Sequence, residues 1–105
     1  MKVKFTMSEK NKKKFERDIK ELEQMIEAHG LKKINIGHYE GSGIPEKNMA
    51  DLEIRMLVTE WFRTYANDLW IWFDEKNEYG EELLNEFRNI ESEIQAEGFL
   101  KDCKW

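Results

Sequence analysis

The 105-residue chain carries 17 Lys and Arg against 22 Asp and Glu, a formal net charge of −5, and its 40% hydrophobic content with a single Pro is that of one folded domain rather than a disordered chain. A chain of this size buries enough surface for one core with no metal or disulfide staple, so residues 1–105 are read as a single domain. Cys103 is the only cysteine, which excludes an intrachain disulfide and a Cys-rich zinc cluster, and the longest apolar stretch, Leu69 to Phe73, is far too short to span a membrane.

Residues 2–6 alternate polar and apolar, which predicts a strand with Val3 and Phe5 facing a core. Alternating lysines, not an apolar signal segment, follow Met1, so the expected location is cytoplasmic. Ser8 is a plausible N-cap, and Phe15, Ile19, Leu22 and Ile26 recur at helical spacing until Gly30, a plausible C′ glycine, so a helix is predicted over 8–30. Residues 31–39 alternate again, with Ile34, Ile36 and His38 on one side, and predict a second strand that ends at the Gly41-Ser42-Gly43-Ile44-Pro45 loop.

The segment 46–67 fits a helix better than a strand. Ile54, Leu57, Val58, Trp61 and Tyr65 share one helical face, while Asp51, Arg55, Thr59 and Arg63 fall at steps of four on the other. Leu69 to Asp74 reads as a strand apolar on both faces, with Trp70 and Trp72 on one side and Ile71 and Phe73 on the other, and such a strand is expected to be covered twice. A second long helix is predicted from Leu83, Phe87, Ile90 and Ile94, closed by Gly98, with a short strand over 99–105.

Shifting the chain by 68 positions superposes Val3 on Ile71, Phe15 on Leu83 and Gly30 on Gly98, as two similar βα units would. The expected architecture is therefore α+β: a ferredoxin-like (split β-α-β) sandwich with two long helices on one face of a small, mostly antiparallel sheet. Segment 46–67 is then an insertion between the central strands, placed so that it could cover Trp70 and Trp72.

Charge is polarised along the chain. Residues 1–33 hold ten basic and six acidic side chains, with Lys10, Lys12, Lys13, Lys14 and Arg17 crowded at the start of the first helix. Residues 74–97 hold nine acidic side chains against Lys76 and Arg88. An acidic run of this kind suits a protein partner with a basic surface, such as a nucleic-acid channel, because complementary potentials speed encounter. Glu78, Glu82, Glu86 and Glu93 are the acidic candidates for such contact, and Trp70 and Trp72 are the aromatic ones. Small acidic inhibitors carried by phages and mobile elements have this general look.

The alternative reading is nucleic-acid binding through Lys10, Lys12, Lys13, Lys14 and Arg17, which the net acidity disfavours. A third is acid–base or small-ligand chemistry at His38, Tyr39 and Glu40, beside the glycine loop. No phosphate-binding glycine motif, zinc spacing or activated cysteine is present, so neither a cofactor nor a metal is expected, and the chain is read as a non-catalytic interaction protein. A homodimer through Trp70 and Trp72 is expected if residues 46–67 leave that face bare.

Overall fold

The computed structural model describes residues 1–90. Five strands form one antiparallel sheet in the order β2-β3-β1-β4-β5, where β1 is Lys2–Thr6, β2 Lys32–Asn35, β3 His38–Glu40, β4 Asp68–Trp72 and β5 Gly80–Glu82. The helices are α1 (Glu9–Lys14), α2 (Glu16–Ala28), α3 (Glu46–Val58) and α4 (Glu60–Tyr65), with residues 84–90 also helical.

The centre of the sheet is β1, hydrogen-bonded to β3 on one side and β4 on the other. Because side chains alternate across a strand, Val3 and Phe5 from β1, Tyr39 from β3, and Leu69 and Ile71 from β4 all enter one core. From α2 come Ile19, Leu22 and Ile26, from α3 Met49, Leu52 and Met56, and from α4 Phe62. The opposite sheet face carries Lys2, Lys4, Thr6, His38, Glu40, Trp70 and Trp72, and among the described residues no helix covers it.

Several expectations change in detail. The predicted strand over 31–39 is a hairpin, because Gly37 takes a φ of 80° and a Cβ there would lie 2.4 Å from the Phe5 carbonyl oxygen. Ile34 and Ile36 therefore lie outside the core, 59% and 51% exposed, and Tyr39 enters it instead. The long first helix divides at Phe15, whose ring stacks at 5.3 Å on Trp61, while Gly30 closes α2 at a φ of 111° as its sequence position implied.

Segment 46–67 is helical, but as two helices broken at Thr59, and the break rotates the buried face. Ile54 and Val58 are exposed, and Met49, Leu52 and Met56 are buried. The segment is also not an insertion: it makes the second helical crossing, from β3 to β4, and packs on the core side. It therefore leaves Trp70 and Trp72 uncovered.

The offset of 68 does not describe two equivalent βα units either, since a further strand, β5, intervenes between β4 and the helical residues 84–90. Val3 and Ile71 are instead direct cross-strand partners. The strand expected over 99–105, with Gly98, Cys103 and Glu93, lies outside the described residues.

Candidate functional site

Two surfaces collect the candidate residues, and they lie on opposite sides of the sheet. The first is the open face. Strand register sets Lys32, Glu40, Lys2, Trp72 and Gly80 in one cross-strand row and His38, Lys4, Trp70 and Glu82 in the next. The indoles of Trp70 and Trp72 stack with centroids 6.1 Å apart. Trp72 lies directly against Gly80, where a Cβ would fall 2.3 Å from the ring, so β5 supplies a glycine where the indole needs room. Lys2 Nζ sits 4.6 Å from the Trp72 ring centroid, a cation–π contact. Trp70, 37% exposed, borders a shallow depression with Lys4, Thr6, Asp68 and Trp72.

The second surface is acidic and lies on the helix side of the β5 edge. Glu81 stands opposite the inward-facing Ile71, and Glu53 comes from α3 and Glu86 from the helical residues 84–90. Partial burial and then the Glu81 and Glu86 charges push the Glu53 carboxyl above its usual range. Met1, Glu46, Phe73, Asp74, Tyr79 and Glu81 line an adjoining depression. Sequence reasoning missed Glu53, because it is one acidic residue in a helix remote in sequence from the acidic run.

The candidate acidic residues separate. Glu86 belongs to the acidic edge. Glu82 instead braces the backbone, since its Oε2 accepts from the N–H groups of Leu69 and Leu84, each at 3.0 Å, and its Oε1 from that of Asn85 at 2.9 Å. It fastens the start of residues 84–90 to β4, as an N-terminal cap does. Glu78 lies in a turn organised by Asp74, which accepts from the Glu78 N–H at 2.7 Å and the Tyr79 N–H at 3.1 Å. Chiefly the Glu78 N–H holds the Asp74 carboxyl below its usual range. Glu93 lies outside the described residues.

The basic cluster is only partly assembled. Lys13, Lys14, Arg17 and Lys20 line one shallow groove with Glu16, whereas Lys12 pairs with Glu9 at 3.3 Å. Lys14 Nζ lies 4.9 Å from the Tyr65 ring centroid and 5.3 Å from that of Phe15. Lys10 is exposed on α1 and does not line that groove.

Strand alternation takes His38, Tyr39 and Glu40 apart. His38 and Glu40 point outward, with Nε2 3.0 Å from Glu40 Oε2, at ion-pair distance but outside hydrogen-bond geometry. Tyr39 points inward and is fully buried, donating to Glu23 Oε2 at 2.5 Å and accepting from the Gly37 N–H at 3.2 Å. Burial first, and then Glu23, push its phenol well above the usual range. Lys33 Nζ reaches the Glu23 carboxylate at 3.2 Å and completes the network beneath the hairpin.

His29 joins α2 to α3: its Nδ1 lies 2.7 Å from the Met25 carbonyl and its Nε2 2.8 Å from Asp51 Oδ2. His29, with Arg55, holds the Asp51 carboxyl below its usual range. Among the described residues no group of three or more His, Cys, Asp and Glu side chains is placed to hold a metal ion, and no helix is long and apolar enough to cross a membrane. Comparisons of the chain with models of protein families, with curated proteins and with solved structures found no match.

Proposed function

We propose that this chain is a small acidic, non-catalytic protein-interaction module that presents the edge formed by Glu53, Glu81 and Glu86 to a basic surface on a partner protein. One observation carries the reading: carboxylates from three separate segments, Glu53 of α3, Glu81 of β5 and Glu86 of residues 84–90, lie near enough for the latter two to raise the Glu53 carboxyl. Converging like charges oppose folding, and a basic partner would remove that penalty on binding while the complementary potential speeds association. A partner whose basic surface handles nucleic acid would be blocked by such contact, which makes the module an inhibitor of the kind found in phages, acting in the cytoplasm.

The ferredoxin-like assignment belongs to the same proposal. It is supported by the antiparallel order β2-β3-β1-β4 with helical crossings after β1 and β3, to which β5 is an added edge strand. Catalysis at His38, Tyr39 and Glu40 is disfavoured, because strand alternation puts the tyrosine on the opposite face from its neighbours.

The test is capture from a nuclease-treated lysate of the source cells, with the tagged full chain beside Glu81→Lys/Glu86→Lys. The expected result is one stoichiometric protein held by the wild type, released as salt rises, and lost with the double reversal. Equal capture by both forms, at matched circular dichroism, overturns the proposal.

A further inference from the structure

We propose that the open sheet face joins two copies of this chain, face to face, about a two-fold axis that runs parallel to the strands between β1 and β4. This surface lies on the other side of the sheet from the acidic edge, and the pairing does not depend on that edge. Charge argues for a second copy as the occupant. On this face Lys2, Lys4 and Lys32 are matched by Glu40, Asp68 and Glu82, so two copies can meet here without the repulsion that a net charge of −5 on each would otherwise impose. The two signs are also separated across the sheet. The lysines belong to β1 and β2, whereas Asp68 and Glu82 belong to β4 and β5, and only Glu40, between Lys2 and Lys32, departs from this division.

A two-fold axis along the strands exchanges β1 with β4 and β3 with β5, and so lays the basic half of each face on the acidic and aromatic half of the other. In that register Lys4 faces Trp70 of the second copy, with Asp68 two residues along the same strand and Glu82 on the next strand, and Lys2 faces Trp72. Other axes fail. One across the strands, midway between the two tryptophan rows, sets Lys2 against Lys4; placed on either row, or along β1, the axis sets a lysine against its own copy. Trp70 supplies the apolar contact, since it is exposed near the middle of the face and no helix covers it among the described residues. Because β1 and β4 are about 4.8 Å apart, the two copies of Trp70 stand side by side across the axis. Trp72, half-buried against Gly80 and Lys2, needs no free ring face in this arrangement. Aligned sheets pack about 10 Å apart with interdigitated side chains, a gap that an indole and a lysine stem fill.

The experiment is sedimentation equilibrium of the full chain from about 1 μM to about 1 mM, a range that brackets the dissociation of a small interface. The mass should rise from that of one chain to that of two and no further, because a two-fold contact closes on itself. Trp70→Ala should raise the dissociation constant by about 30-fold or more, the loss expected of a central tryptophan. Lys4→Glu, at an exposed position, should raise it at least about tenfold, because it sets a like charge beside Asp68 and Glu82 of the second copy. Circular dichroism matched to the wild type shows that each variant is folded. Glu81→Lys/Glu86→Lys should dimerise at least as well as the wild type, which separates this face from the protein-binding edge. A single-chain mass throughout the range, a mass that climbs past two chains, or a dimer that both Trp70→Ala and Lys4→Glu leave intact would overturn the proposal. If the chain stays single and Trp70→Ala abolishes capture of a protein from the lysate, the face belongs to that protein and not to a second copy.

Discussion

Replacing Tyr39 with Phe removes one oxygen from the centre of the molecule and leaves the ring stacked near Phe5, at 6.1 Å between centroids. Two buried groups then lose a partner: the Glu23 carboxylate loses its 2.5 Å donor, and the Gly37 N–H loses its acceptor at 3.2 Å. A hydrogen bond to a charged group contributes about 1.5–3 kcal/mol, and an orphaned buried donor adds about 1 kcal/mol or more, so the expected cost is about 2–4 kcal/mol. In a domain of this size that corresponds to a fall in Tm of roughly 10 °C or more. Urea and thermal unfolding followed by circular dichroism measure it.

Alkaline pH gives that experiment a second arm. The phenol's affinity for its proton is raised in the folded state, so the stabilisation is complete below the unfolded value near 10 and is lost as pH climbs toward the folded value. The wild type should lose more stability than Tyr39→Phe between pH 9 and 11. A cost under about 0.5 kcal/mol at neutral pH, or parallel alkaline profiles, would refute the account of the network.

At the acidic edge, Glu53 has a raised carboxyl, so its ionised form disfavours the folded state at neutral pH and the penalty disappears on acidification. Glu53→Gln should therefore stabilise the protein at pH 7 by roughly 0.5 kcal/mol or less, given its partial exposure, and give no gain at about pH 4; a loss of stability at pH 7 would contradict the reading. Glu82→Ala removes an acceptor from three backbone N–H groups and should cost about 1–2 kcal/mol, with Glu82→Gln recovering part of it. Chemical denaturation of the three proteins side by side checks this, and an alanine variant as stable as the wild type would show that Glu82 is surface charge alone.

How much of this was legible in the sequence differs from element to element. The alternation of Val3 and Phe5 sufficed for β1, and the spacing of Ile19, Leu22 and Ile26 with Gly30 sufficed for α2, because each pattern is complete within a few residues. Local patterns fail at breaks. The period read through Thr59 grouped Ile54 and Val58 on one helical face with Trp61, and the alternation read through Gly37 grouped Ile34 and Ile36 with His38 on one side of a strand, yet all four aliphatic residues are exposed. In both places the backbone turns, and the register on the far side follows packing rather than the local pattern.

For the candidate surfaces, the sequence by itself determined the ingredients: an acidic C-terminal half, a pair of tryptophans two residues apart, and lysines alternating along β1. Tertiary structure alone decided their grouping. Pairing of β1 with β4 put Lys2 and Lys4 beside Trp72 and Trp70, and packing of α3 near the β5 edge brought Glu53 to Glu81 and Glu86. The same packing sent 46–67 to the core side, so that this segment covers neither Trp70, which is exposed, nor Trp72, which is half-buried against Gly80 and Lys2. Strand pairing and helix crossing are contacts between segments distant in sequence, fixed by which apolar faces can be buried together, and a local period carries no record of them.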